Sequence, residues 1–483
     1  MGKVKSGIAS FFHAIGGFFK DFGTAVAKGD IFVKLSLIVV GAGYAGRKQY
    51  VKAILTTVLE VLLIWYSVAF APQYISKFTT LGTVEYVPSN SLSIGGAAEA
   101  TQAYDHSFLI LLFSLITIVF WISAVILYMK NIIAVYELQN RAKAGKHINN
   151  FVEDLQDLLN HKFHVTLLFL PVLGIIVFTI FPLLVMICVA FTNYDQNHMP
   201  PSHLFTWVGF ENFISLFSSG GMTVTFGYAF VRVLIWTLIW AFFATFTTYL
   251  GGILLALLIN NKKTVLPKMW RGLFVVTIAV PQFVTLVLLR YFFSDNGIAN
   301  AACKTIGLTA FLKAHGLIST SYIPFLSAPG WANVMVILIN IWVGVPYQML
   351  ISTSILMNIP SDQLEAARID GANSRQIFWK ITMPYMLFVT GPTLVTDFVK
   401  NINNFNVIYL LTTGVYVSPN MNMANSSAKE VDLLVTWLFT LTQDKYNYKM
   451  ASVIGIMVFL ICAFFTLIAF NRLIKGDREE MFR

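Results

Sequence analysis

The amino-acid sequence predicts an all-α polytopic membrane protein with about eight transmembrane helices and an amphipathic helix lying in the membrane surface at its amino terminus. Three observations predict it. Hydrophobic residues make up 57% of the 483 and charged residues only 12%, with a mean hydropathy of +0.71, far too apolar for a soluble globular chain. Eight apolar runs reach the about 20 residues that a spanning helix needs. Lysine and arginine gather on alternate connections between those runs, the bias that sets membrane orientation. A net charge of +10 could suggest nucleic acid, but this placement explains it better, and nucleic acid is not expected as a partner. Cys188, Cys303 and Cys462 lie far apart, so neither a disulfide framework nor metal-ligand spacing follows from them.

The first 29 residues place Ile8, Phe11, Phe12, Ile15, Phe18, Phe19, Phe22 and Val26 at steps of three and four, with Lys3, Lys5, Lys20 and Lys28 mostly off that face. Such a helix lies in the interface, its aromatics in lipid and its lysines on anionic headgroups. A signal peptide fits poorly, because no continuous apolar stretch precedes a small-residue cleavage site. Residues 31–44 are apolar but short and carry Lys34, so an interfacial or re-entrant segment is expected there. The spanning runs are 51–70, 107–129, 165–191, 227–259, 273–293, 333–357, 386–411 and 450–470. Counted on the side of the amino terminus, the connections and tails hold 24 of the 33 lysines and arginines, against six on the other side. Both termini are therefore expected in the cytoplasm.

Between the sixth and seventh runs lies a polar island, residues 360–384. Asp362 followed by Glu365 is a candidate capping pair, and Leu364, Ala367 and Arg368 continue a helical period. Asp370-Gly371 supplies a turn, since glycine accepts the left-handed backbone that ends a helix. Ser374 then starts a second helix, whose Ile377, Phe378 and Ile381 share a face until Pro384 stops it. Small Ala366 and Ala367 allow close approach, and Glu365 and Arg368 offer charge-assisted contacts. An ordinary amphipathic loop is the plain alternative. However, Glu365-Ala366-Ala367, Asp370-Gly371-Ala372, Phe378, Ile381 and Pro384 resemble, at fixed spacing, the EAA loop of the membrane subunits of bacterial ABC importers. The resemblance implies that Glu365, Ala366, Ala367, Arg368, Asp370, Gly371, Phe378 and Pro384 form a coupling helix seated in a separate ATPase subunit.

The order of five spans from residue 227 on is similar to the core of type I ABC importer permeases, and the third span of the chain would complete six core helices. The resemblance thus divides the chain into an interfacial segment (1–50), two accessory helices with a cytoplasmic loop (51–163), a third helix with a short external loop (164–226), a permease domain (227–472) and a cytoplasmic tail (473–483). Two polar clusters inside apolar runs, Asn340-Ile341-Trp342-Val343-Gly344-Val345-Pro346-Tyr347 and Asn401-Ile402-Asn403-Asn404-Phe405, resemble the sugar-lining helices of maltose and maltooligosaccharide permeases. Carried over by position, Asn340, Val343, Gly344 and Tyr347 face the sugar from one helix, and Asn401 and Asn404 from the next. The residue chemistry agrees: a sugar asks for neutral amides at its hydroxyls and an aromatic ring under its apolar face. Asn340, Gly344 and Tyr347 fall on one side of a helix, as do Asn401 and Asn404. Interhelical glue is the competing reading of any single asparagine.

The chain departs from that family at Asp397 and Lys400, charged where uncharged residues are the pattern. An intramembrane charge costs roughly 2.5 to 3.5 kcal/mol, so both must face protein or water. Their spacing of three favours a mutual ion pair over contacts to the sugar. Arg232 and Arg290 are expected near the outer interface, and Glu60 has no partner assignable from sequence. Residues 192–226 are too few for the folded insertion that some maltose permeases carry there, which suggests a lipid-anchored receptor. No Gly-x-x-x-x-Gly-Lys-Ser/Thr loop, His-Glu-x-x-His or Gly-x-Ser-x-Gly occurs, so this chain is expected to be no enzyme and to hold no cofactor. The resemblance implies ATP and Mg bound by two partner ATPase subunits, a second homologous permease and an extracellular sugar-binding protein. A permease for galactose-containing or mixed oligosaccharides is the alternative within the family. An ion-coupled secondary transporter is the alternative outside it, but inverted repeats are not evident.

Overall fold

The computed structural model describes residues 2–86, 104–217, 226–261 and 263–474, so the expected tail beyond residue 474 lies outside the described residues. The regular secondary structure of the described residues is helical, apart from one isolated bridge between Thr192 and Trp207. They fall into two compact units, Met1–Val208 and Gly209–Arg483.

In the first unit, α1 (Gly2–Lys28) is followed by two short helices, Ile31–Leu35 and Ala42–Ala45, then by α2 (Tyr50–Phe70), α3 (Ser107–Lys143), a capped helix Phe151–Leu159 and α4 (Phe163–Val189). The end of α1 is packed: Ala25 and the neighbouring Phe22 and Val26 meet Val33 of the next helix and Ile132 and Val135 of α3, whereas Phe19 is exposed. Residues 31–45 form no span. They make a hairpin whose turns satisfy most of its own backbone and whose remaining groups bond side chains of its neighbours. Tyr128 donates to the Leu37 carbonyl at 2.9 Å, Asn131 to the Val40 carbonyl at 3.2 Å, and the Val40 N–H donates to the Glu60 carboxylate at 2.8 Å. Glu60 lies ten residues along α2, about 15 Å of helical rise, so the hairpin runs deep beside α2 before turning back. Gly41 sits at the turn against Ala53 and Thr57, where a Cβ would come within 2.3 Å of either. At the open end Arg47 and Asp30 pair at 3.0 Å, with the arginine side chain nearly buried.

The second unit holds α5 (Phe226–Ile259), α6 (Pro267–Ala279), α7 (Gln282–Phe292), α8 (Trp331–Leu356), α9 (Ser361–Ile369), α10 (Met383–Ile402), α11 (Phe405–Thr412), α12 (Leu434–Gln443) and α13 (Tyr448–Ile474). Six single helices among the described residues are long and apolar enough to cross a membrane: α2, α3, α4, α5, α8 and α13. Two of the eight expected spans are not straight. The run at 273–293 is a pair, α6 and α7, bent by 91° at Val280-Pro281, because proline drives the residue before it out of the helical region. The run at 386–411 divides at Asn403, and Asn404 caps α11 by accepting from the Val407 N–H at 3.4 Å.

Proline elsewhere is absorbed without a break. One-turn π-segments at Tyr66–Phe70, Ile176–Ile180 and Phe378–Thr382 are each followed two residues on by a proline, Pro72, Pro182 and Pro384. The N–H groups of Ala71, Phe181 and Met383 reach back five residues, a wider turn that clears the carbonyl which the proline ring would otherwise strike. Pro384 therefore does not stop the second helix of the polar island, contrary to the sequence expectation; that helix continues into α10.

The core of this unit joins Trp236, Trp240 and Ala244 of α5 to Leu286 of α7, Val336 and Ile339 of α8, and Val407, Ile408 and Leu411 of α11. The α5–α8 crossing is close because both helices put small residues at it. A Cβ on Gly252 would lie 2.4 Å from the Gln348 Cβ and 2.7 Å from its carbonyl carbon; a Cβ on Gly344 would lie 2.7 Å from Thr248. Between α5 and α10, Tyr249 and Thr390 share a hydrogen bond of 2.7 Å.

Candidate functional site

Breaks in α6–α7 and α10–α11 leave room that straight helices would fill. A cavity of about 1170 Å³ opens there, walled by α5, by the bend at Pro281, by the middle of α8 and by the end of α10. All eight residues named from the sequence line it: Asn340, Val343, Gly344 and Tyr347 on α8, and Asp397, Lys400, Asn401 and Asn404 on or just after α10. Their states differ. Tyr347 is 54% exposed, and the side chains of Asn340, Tyr347 and Lys400 make no hydrogen bond or ion pair among the described residues, leaving their donors to the cavity. Asn401 is engaged: it donates to Thr245 of α5 at 2.9 Å, accepts from Asn404 at 3.2 Å, and its carbonyl accepts from the Trp240 indole at 3.0 Å. It serves as interhelical glue and as wall together. Gly344 likewise lines the cavity while packing on Thr248.

The ion pair expected between Asp397 and Lys400 is not formed. Asp397 accepts instead from the Gln348 amide of α8 at 3.2 Å. Spacing on one helix permitted the pair, but the neighbouring helix offers a closer donor. Sequence reasoning missed Gln348, whose only signal was its place beside Tyr347. It also missed Thr245, Gln282 and Asn406, which add polar lining. Two other side chains find partners that periodicity could not name. Arg290 donates to the Thr413 carbonyl at 3.1 Å, at the end of α11, and Glu60 takes the Val40 N–H described above.

The polar island forms α9, a turn and a second short helix, Ser374–Ile377. The expected Asp362–Glu365 capping pair is absent, since the helix starts after Pro360 with no side-chain cap. Asn373 and Gln376 make the reciprocal capping box instead, at 2.8 and 2.9 Å. Gly371 has φ of +77°, the left-handed conformation expected of it. Glu365, Ala366, Arg368 and Asp370 are exposed and Ala367 half-exposed, on a helix whose Ile369 is 86% exposed. Phe378 turns inward and packs with Tyr249, Met383 and Met386. The island thus offers one face outward and ties the other to α5 and α10.

The connection from α11 to α12 carries a second polar knot. Glu430 accepts from Tyr416 and Ser418 at 2.8 and 2.9 Å, and Asp432 from the Lys429 N–H and the Thr436 hydroxyl at 2.8 and 2.9 Å. Burial pushes the Asp432 carboxyl up to about 6, against the opposing pull of Lys429. A carboxyl raised by folding binds its proton more tightly folded than unfolded, so its contribution is full below about pH 4 and is lost as pH rises through about 6. Asp432→Asn should remove that decline, worth about 3 kcal/mol in all and about 2 kcal/mol of it between pH 4.5 and 7. Melting temperatures at pH 4.5 and 7 for the two proteins measure it; equal pH dependence would refute the assignment.

The family described as binding-protein-dependent transport system inner membrane component matches residues 248–475. The maltodextrin transport system permease protein MalC of Streptococcus pneumoniae is 30% identical over 446 residues, 92% of this chain and 96% of the relative. MdxF, the maltodextrin transport system permease protein of Bacillus subtilis, is 31% identical over 447 residues, again 92% and 96%. The galactooligosaccharides transport system permease protein GanP of Bacillus subtilis is 30% identical over 377 residues, 78% of this chain and 85% of the relative. The chain belongs to this family, the multi-pass membrane permeases of ABC importers.

Proposed function

We propose that this chain is one half of the membrane pathway of an ATP-driven importer for maltose and maltooligosaccharides. The observation that carries the reading is the cavity: neutral amides, an exposed tyrosine ring and unpaired donors meet in a space of about 1170 Å³, large enough for several sugar rings. Similarity to the two maltodextrin permeases over 92% of the chain, against 78% for the galactooligosaccharide permease, favours the maltodextrin class. Asn340, Tyr347, Lys400 and the free oxygen of Asp397 bind hydroxyls, Val343 supplies apolar contact, and Asn401 and Asn404 hold the wall in place while presenting their remaining polar atoms.

A second homologous permease completes the cavity, and two ATPase subunits, which bind ATP and Mg, seat α9 through Glu365, Ala366, Ala367 and Arg368. An extracellular, lipid-anchored sugar-binding protein delivers the oligosaccharide. Both termini and the polar island lie in the cytoplasm, a reading supported by the bias of lysine and arginine. α1 rests on the inner membrane surface with Phe19 toward lipid. Closure of the ATPases pushes α9, and its connection through Phe378 to α5 and α10 moves the cavity walls, so that the sugar meets one side of the membrane at a time.

Tyr347→Ala and Asn340→Ala test the cavity cleanly, because neither side chain holds the fold together. Each should lower uptake of labelled maltotriose by about tenfold, the loss of one good contact, while the complex assembles normally. Unchanged uptake in both would reject the site.

A further inference from the structure

The hydrogen bond from Gln348 to Asp397 has a place in the fold that suggests more than lining. It ties α8 to α10, which between them bring Asn340, Tyr347, Gln348, Asp397, Lys400 and Asn401 to the cavity. Those same helices flank the polar island: α8 ends at Leu356, just before α9 begins at Ser361, and α10 starts where the π-turn after Ser374–Ile377 ends. At Gln348 the third wall is also fixed, because its Cβ and carbonyl carbon lie against Gly252 of α5 with no room for another atom. Met349, the next residue, is fully buried with Ala256 and Ile259 of α5. One glutamine therefore joins three helices at the level of the cavity, with its backbone seated on one and its amide holding another.

We propose that Gln348 is a positioning residue that makes α8 and α10 move as one body when the polar island is displaced. The inference rests on the reading of the chain as an importer permease and adds to it a statement about coupling. With the bond in place, a push on α9 reaches both cavity walls. Without it, α8 can yield while α10 stays, and nucleotide is consumed without passage of sugar. The bond has a second effect. By occupying one oxygen of Asp397 with a neutral donor, Gln348 keeps that carboxylate from collapsing onto Lys400, and the lysine stays free in the cavity.

The test uses the whole complex, with its partner permease, ATPases and sugar-binding protein, in liposomes, measuring labelled maltotriose imported and ATP hydrolysed. Gln348→Glu keeps the shape but sets two carboxylates face to face. It should lower the sugar imported per ATP at least fivefold, the lower end of ordinary coupling energies, with assembly and basal ATP hydrolysis retained. Adding Asp397→Asn restores a donor and an acceptor in exchanged positions and should recover at least half of the lost stoichiometry. Gln348→Leu, which removes the donor without adding charge, should fall with the single glutamate variant. Unchanged stoichiometry in both single variants would overturn the proposal, as would an exchanged pair no better than Gln348→Glu. Failure of the unsubstituted complex to import maltotriose would instead sink the importer reading, so the two failures are distinguishable.

Discussion

Gly371→Pro should abolish sugar uptake, by a hundredfold or more, while leaving the permease in the membrane. Gly371 sits at φ of +77°, and proline is held near −65°. Its N–H also donates to the Arg368 carbonyl at 3.1 Å, closing the end of α9, and proline has no N–H to give. The turn must open, so the exposed face of Glu365, Ala366 and Arg368 swings away from the direction set by Asn373 and the following helix. No core residue is touched, because a side chain at Gly371 meets nothing within 4 Å. The expected signature is full expression, lost co-purification or stimulation of the ATPase, and lost uptake. Gly371→Ala, strained but still able to donate, should fall between. Full uptake by the proline variant would remove the island from the coupling path.

Gly252→Leu should act at the other extreme, on the fold itself. A Cβ there already overlaps Gln348 and the Met349 nitrogen at 2.9 Å, and the backbone atoms among these cannot turn aside. α5 and α8 must separate along their crossing, which empties contacts around Met349 and Tyr249 as well. Overpacking in a well-filled interior typically costs 1–3 kcal/mol, and a whole leucine against backbone belongs at or above the upper end, about 3 kcal/mol. The measurement is folded yield after detergent extraction together with the melting temperature. Gly145→Leu is the control, since nothing lies within 4 Å of that glycine, although its positive φ carries a smaller penalty of its own. Equal yields for the two variants would show that the α5–α8 crossing has room for a side chain at Gly252.

How much of this was legible beforehand depends on where the information sits. The cavity residues could be read because the face of a helix is encoded in steps of three and four, and Asn340, Gly344 and Tyr347 keep that step. The turn at Gly371 could be read because few residues tolerate its backbone. The split of 386–411 could not, because averaging hydropathy over a window hides a two-residue interruption at Asn403-Asn404. Pro281 was visible in the 273–293 run, but no local rule says whether a proline bends a helix by 91° or, like Pro384, is absorbed by a wider turn. The partner of Asp397 was misjudged for a related reason: pair rules compare residues on one helix, and the donor stood on the next. The hairpin at 31–45 could not be read, because the side chains that anchor it, Glu60, Tyr128 and Asn131, stand on helices far along the chain.

The corner at Val280-Pro281 leaves peptide groups of two helix ends beside the cavity, and Val280, Pro281 and Gln282 all border it. Replacing a residue leaves its amide and carbonyl behind. Alanine scanning will therefore miss whatever these main-chain groups contribute at this flank, and exchange of a single main-chain amide for an ester is the chemistry that would make it heard.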